Sequence, residues 1–262
     1  GGGGLVPTAR ALEIGRRVRP AIDQLREAVE PGEFNPATAE REFVVAAGPY
    51  AAAVVLPSLV DRLAAIAPGV RLRLRRPEEQ SIEDVDLGRF DFMIGPPSSL
   101  RSRLEWLPLL VDDLVWIARR GHPQLAEPLT MDMLLAARHV IIEKIARQVS
   151  PAYPELRQFF DETRELRDAT AAAADTAGRR RTPPPAVIVT DVMQAMAMVA
   201  RSDLAMLSLR RLAAAFPAGL QLMTPPHDTP EIEMGAIFLP ARQRDAGFKW
   251  LMGELQDVCK GN

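Results

Sequence analysis

Residues 43–75 read FVVAAGPYAAAVVLPSLVDRLAAIAPGVRLRLR, and this stretch sets the fold class. It opens with Phe43 to Ala47, apolar on both faces, as a strand inside a parallel sheet must be. A helix follows from about Tyr50 to Ala67 and stops before Pro68-Gly69, a turn signal. Val70, Leu72 and Leu74 then alternate with Arg71, Arg73 and Arg75. One face of that strand is buried and one is wet, which puts it near a sheet edge. The three arginines suit either phosphate binding or a solvated or subunit-facing surface. A short helix around Ile82 to Leu87 and a strand over Phe90 to Ile94 complete the unit. Strand–helix–strand–helix–strand in this order predicts an α/β fold with a parallel sheet and right-handed crossovers.

Further along, Leu107 to Arg119 holds a strand at Leu114 to Ala118. Thr130 to Ala137 reads as helix and His139 to Ile142 as strand. Leu156, Phe159, Phe160, Thr163 and Leu166 mark an amphipathic helix. Ala171 to Pro185 passes from alanines through Arg179-Arg180-Arg181 into three prolines, which forbid helix and favour an extended surface loop. Val187 to Val189, Leu204 to Leu207, Leu220 to Thr224 and Glu231 to Phe238 are expected strands. Val192 to Val199, Leu209 to Ala215 and Ala246 to Cys259 are expected helices.

Toward the N-terminus, residues 8–30 read as one long helix. Ala11, Ile14, Val18, Ile22, Leu25 and Val29 recur at steps of three and four, and arginines fill the other faces. So narrow a stripe suits a two-helix seam. Pro20 should kink it. Glu33 to Glu42 is a polar connector.

Composition excludes several classes. The chain has 262 residues, 47% hydrophobic and 25% charged, an ordinary globular mixture. A net charge of −2 gives no overall electrostatic footprint for nucleic acid. A single cysteine, Cys259, makes no internal disulfide and fits a reducing compartment. Phe43 to Val60 is uncharged, but Gly48-Pro49 and Pro57 interrupt it, so no membrane span is expected. The three histidines, His122, His139 and His227, lie far apart without metal-ligand spacing. There is no G-x-S-x-G elbow and no HExxH helix. Asp84/Asp86 and Asp112-Asp113 are best read as solvated turn carboxylates, and His122 as structural. No catalytic residue, metal or cofactor is expected, and the chain is not read as an enzyme.

Several segments, in order, resemble the LysR-type transcriptional regulators, nearest to the nodulation-regulator and aromatic-degradation branch. Gly4 to Leu12 looks like the end of a winged helix-turn-helix domain entering its linker helix. Phe34-Asn35-Pro36-Ala37-Thr38, Arg41-Glu42-Phe43, Leu56-Pro57 and Ala67-Pro68-Gly69-Val70 look like the opening of the effector domain. Leu87-Gly88-Arg89-Phe90-Asp91 with Ile94-Gly95 continues the pattern. Leu114-Val115-Trp116 to Arg119-Arg120-Gly121-His122-Pro123, with Leu129-Thr130, is its most specific stretch. Arg201 to Leu207 and Arg210 to Ala213 complete it.

The resemblance implies a type 2 periplasmic-binding-protein-like fold, with two Rossmann-like lobes joined by two crossover strands after a long linker helix. Residues 1–7 would be a remnant of the DNA-binding domain and 8–39 the dimerisation helix and connector. Residues 40–262 would be the effector-binding domain, with lobe I at 40–117 and 219–262 and lobe II at 118–218. The crossings are expected near Ala118-Arg119 and Ala218 to Leu222. Such a bacterial, cytoplasmic protein would bind a small-molecule co-inducer, an aromatic or other small organic acid, in the interlobe cleft. It would reach DNA only through the N-terminal domain and form a homodimer or homotetramer through Ile14, Val18, Ile22, Leu25 and Val29. A transporter's solute-binding protein shares the fold, but the linker stripe argues against it.

Ligands of α/β sheets sit outside the carboxyl ends of strands, beside helix N-termini. The candidate effector contacts are therefore Gly48, Pro49 and Tyr50 after the first strand, Gly95 and Pro96 after the third, and Thr190 and Asp191 before a later helix. Ser81, at a helix start, and Glu143, at a strand end, join them. Tyr50 could stack on a ring, Thr190 could donate its hydroxyl, and Asp191 would repel an anion unless it only caps its helix.

Overall fold

The structure is a computed structural model, and it describes residues 8, 14–15, 18, 22, 34–77, 81–97, 103–142, 186–216, 219–226 and 228–261. Two compact units emerge, Gly1–Leu110 with Glu233–Asn262, and Val111–Ile232. The expected helix at 156–166, the loop 171–185, Leu25, Val29 and Glu143 lie outside the described residues.

The first unit is built on the stretch that opened the reading. β1 (Arg41–Ala46) leads through a π-helical turn (Ala51–Val55) into α1 (Leu56–Ile66) and β2 (Val70–Arg75). α2 (Ser81–Asp86), β3 (Phe92–Gly95) and β4 (Glu105–Asp112) follow. The chain returns with β10 (Ile232–Phe238), a 3-10 helix (Pro240–Arg244) and α6 (Ala246–Lys260). The sheet runs β2-β1-β3-β10-β4. β1 is parallel to both β2 and β3, as expected, whereas β10 is antiparallel to β3. β2 is the edge strand that its alternation called for, and Leu74 is 46% exposed there.

Aromatic packing closes this unit. Phe248 of α6 is fully buried and meets Phe92 and Phe238 edge-on, at centroid distances of 6.2 and 5.2 Å. Burying such a ring contributes about 2–3 kcal/mol. α6 is started by Asp245, whose carboxylate accepts from the amides of Gly247 and Phe248. The same carboxylate takes a two-pronged pair from Arg41, whose guanidinium also lies 4.5 Å from the Phe43 ring centroid. Burial pushes the Asp245 carboxyl up, but the Arg41 guanidinium and the Phe248 amide outweigh it and hold the group below the usual range.

The second unit comprises β5 (Leu114–Arg119), α3 (Met131–Ala136), β6 (Arg138–Ile142), β7 (Val187–Val189), α4 (Val192–Val199), β8 (Leu204–Leu209), α5 (Arg210–Ala215) and β9 (Leu220–Met223). Its sheet runs β7-β6-β8-β5-β9. β6 is parallel to β7 and β8, while β5 is antiparallel to β8 and β9. A core of Trp116, Leu125, Leu129, Leu134, Ala205 and Met223 lies against it.

Two expectations are corrected. The chain passes between units at 110/111 and 232/233 rather than near Ala118-Arg119 and Ala218 to Leu222. β5 and β9 pair with each other along Trp116 to Arg119, so both belong wholly to the second sheet. Asp112 is not a solvated turn residue: it is 4% exposed and accepts from the Asp113 and Arg211 amides, the latter at the start of α5. Asp113 pairs with Arg210, which holds its carboxyl below the ordinary range. Among the described residues no helix is long and apolar enough to cross a membrane.

Candidate functional site

In the first unit the candidate residues stand at the carboxyl ends of neighbouring strands. Val45 and Ala46 of β1 pair with Phe92 and Met93 of β3 in parallel register. The chain leaving β1 at Gly48-Pro49-Tyr50 and the chain leaving β3 at Gly95-Pro96 therefore depart from the same end of the sheet. The Ala47 amide donates to the Arg75 carbonyl, so the end of β2 adjoins them too. Tyr50 is buried at 8% exposure, while Gly48, Pro49 and Pro96 are half-buried. An added Cβ would clash at neither glycine: it would make ordinary contact with Pro77 Cγ at 3.9 Å for Gly48, or with Met93 Cε at 3.7 Å for Gly95. Ser81 begins α2, as expected.

In the second unit Ile142 of β6 pairs with Val189 of β7 in parallel register, so Thr190 leaves the sheet at the end where β6 also ends. Thr190 is exposed. Asp191 is the N-cap of α4, its Oδ1 accepting from Met193 N at 2.7 Å and Gln194 N at 3.3 Å. The amides that could hold an anion at this helix end already hold a carboxylate.

Two histidines have structural surroundings. His122 is 6% exposed, and its Nδ1 accepts from the amides of Gln124 and Leu125. His139 is 3% exposed, with its ring centroid 5.4 Å from that of Trp116. Burial pushes its pKa down to about 4, so it is neutral at physiological pH. No group of three or more histidines, cysteines or carboxylates among the described residues could hold a metal.

Sequence reading missed three features here. The π-helical turn after Tyr50 left no periodicity of its own. Asp91, quoted only as part of a pattern, is 8% exposed and joins β1 to the 3-10 helix. The Trp106 indole covers Gly235, and nothing in local spacing could have paired them.

Comparison with known proteins adds the family. The profile described as LysR substrate binding domain matches residues 37–260. The chain is 22% identical over 262 residues to HTH-type transcriptional regulator LeuO of Escherichia coli (strain K12), covering 99% of this chain and 77% of that protein. It is 30% identical over 139 residues to HTH-type transcriptional activator NahR of Pseudomonas putida, covering 52% of this chain and 46% of that protein. Among solved structures, a probable transcriptional regulator, PA0477, from Pseudomonas aeruginosa superposes with a TM-score of 0.68 at 29% identity, covering 98% of this chain and 80% of that one. The regulatory domain of MexT, a transcriptional activator in Pseudomonas aeruginosa, superposes with a TM-score of 0.62 at 21% identity, covering 85% and 100%. Its two mixed five-stranded sheets are those of the type 2 periplasmic-binding-protein-like regulatory domains. The chain belongs to the LysR family, regulators of transcription and not enzymes, and residues 37–260 are its substrate-binding domain.

Proposed function

We propose that this chain senses a small organic effector through the strand-end residues Gly48, Pro49, Tyr50, Gly95 and Pro96 of the first unit and Thr190 and Asp191 of the second, with Ser81 and Glu143 as further candidates. The sensing domain acts in the cytoplasm on a winged helix-turn-helix domain that carries the DNA contacts. One observation carries this reading. Within a LysR substrate-binding domain, β1 and β3 pair in parallel and end together at the half-buried Gly48 and Pro49, the buried Tyr50 and Gly95, and Pro96. Asp191 already fills two amides at the start of α4, so that helix end is not expected to hold an acid group of the effector.

A thermal-shift screen of small aromatic and aliphatic carboxylic acids, with their neutral amides, tests it, because a ligand of the folded state raises the melting temperature. For a compound that stabilises the parent, Tyr50→Ala and Thr190→Val should each weaken binding about tenfold, or about 1.4 kcal/mol. Tyr50→Phe keeps the packing and separates lost stacking from a lost hydroxyl. Unchanged affinity in all three folded variants would place the pocket elsewhere.

The same reading gives the chain a homodimer or homotetramer through its N-terminal helix. Ile14, Val18 and Ile22 are helical and 47%, 45% and 44% exposed, one apolar stripe at four-residue spacing. Ile22→Asp with Leu25→Asp would put charges into that seam at a cost of several kcal/mol, roughly. Sedimentation should then show dissociation at concentrations where the parent is dimeric. A double variant as dimeric as its parent would sink the proposal.

A further inference from the structure

We propose that Pro57 is a positioning residue: it holds the turn Ala51–Val55 in π register, and that register sets the orientation of Tyr50. The backbone hydrogen bonds mark that register. The Leu56 amide donates to the Ala51 carbonyl, five residues back, whereas the Ala52 amide donates to Gly48, four residues back. The helix therefore starts with α spacing, widens for one turn, and returns to α spacing through Ile66.

Pro57 stands where the widening ends, in the first two positions of α1. In an unbroken α-helix residue 57 would donate to the carbonyl of Ala53. Proline has no amide hydrogen to give, and its ring would press on that carbonyl. A π turn relieves the clash by opening the ladder at that point. Each such turn inserts one extra residue, so everything before it is rotated by one residue, about 100°, relative to α1. That rotation accompanies a Tyr50 only 8% exposed and an Ala51 only 1% exposed, in line with Val55, Leu56 and Leu59.

The side chain of Pro57 is itself exposed, so it fills no core space. Removing it leaves no cavity, and an exposed helical proline is ordinarily a cost that alanine would relieve. What the ring contributes is the register. The consequence for the effector rests on the reading of Tyr50 as a contact residue; the register does not.

The test uses the full chain with Tyr153→Phe, which leaves Tyr50 as the only tyrosine. In Pro57→Ala, the crystal structure should show the Leu56 amide moved from the Ala51 to the Ala52 carbonyl. Tyr50 should then lose its protection from nitration by tetranitromethane. Deleting Ala53 in the same background removes the extra residue, and both the phase and the protection should return. A purely structural contribution would not be rescued by a deletion. If Pro57→Ala keeps the bond to Ala51, or takes α spacing with Tyr50 still protected, the proposal is overturned. If Tyr50 moves while an acid that stabilises the parent binds unchanged, the contact reading fails and the positioning stands.

Discussion

Replacing Asp91 with alanine is expected to destabilise the first unit by about 3–5 kcal/mol, the range for breaking one side of a buried ion pair. Asp91 is 8% exposed. Its Oδ2 accepts from the Val44 amide at 2.6 Å, and its Oδ1 pairs with Arg242 Nη2 at 2.9 Å. Its own amide donates back to the Val44 carbonyl at 2.8 Å. Alanine would leave the Val44 amide and the Arg242 guanidinium, whose side chain is 21% exposed, without that acceptor. Domains of this size hold only about 5–15 kcal/mol in total, so the loss is large. Urea unfolding should show a clear fall in midpoint, and hydrogen exchange should place the opening in β1 and β3. Arg242→Met should cost less, because the carboxylate keeps the Val44 amide. A midpoint within about 1 kcal/mol of the parent for Asp91→Ala would mean that water already satisfies these groups.

Part of this architecture was legible because it is local. Phe43 to Ala47 is apolar on both faces and became the interior strand β1; the Val70 to Arg75 alternation became the edge strand β2. Thr190-Asp191 before a helical run carried the chemistry of a cap, and Asp191 caps α4. What could not be read depends on partners distant in sequence. β10 looked like a buried strand, but its period does not say that it lies between β3 and β4, antiparallel to β3. β4 was hidden by Pro108, which is tolerated because β4 is an edge strand and Pro108 is exposed. Asp112 looked like a turn residue until Arg211, ninety-nine positions away, supplied its amide. For the candidate site, strand ends and helix starts were visible as types of position. The extra residue of the π turn was not, since one proline in an apolar run also reads as a first-turn proline.

Gly235→Ala is expected to be the most damaging single methyl that can be added to the first unit's sheet. Gly235 lies in β10, opposite Gly95 of β3. An added Cβ would fall on Nε1 and Cε2 of Trp106 and 2.5 Å from the carbonyl oxygen of Leu107. The indole could swing away, but Leu107 O is backbone of the neighbouring strand β4, so β4 must leave its place beside β10. Overpacking of this kind costs about 1–3 kcal/mol, and more where backbone must move. Gly253 is the control: it sits in α6 with nothing within 4 Å of an added Cβ. Gly253→Ala should therefore stabilise the helix by about 0.5–1 kcal/mol. Trp106→Ala in the Gly235→Ala background separates the two obstacles. If the indole alone were in the way, the double variant would regain the stability of Trp106→Ala; because the Leu107 carbonyl remains, it should stay below it. Equal melting temperatures for Gly235→Ala and the parent would show that β4 gives way freely, and the close seating of Trp106 on Gly235 would then contribute nothing to the sheet.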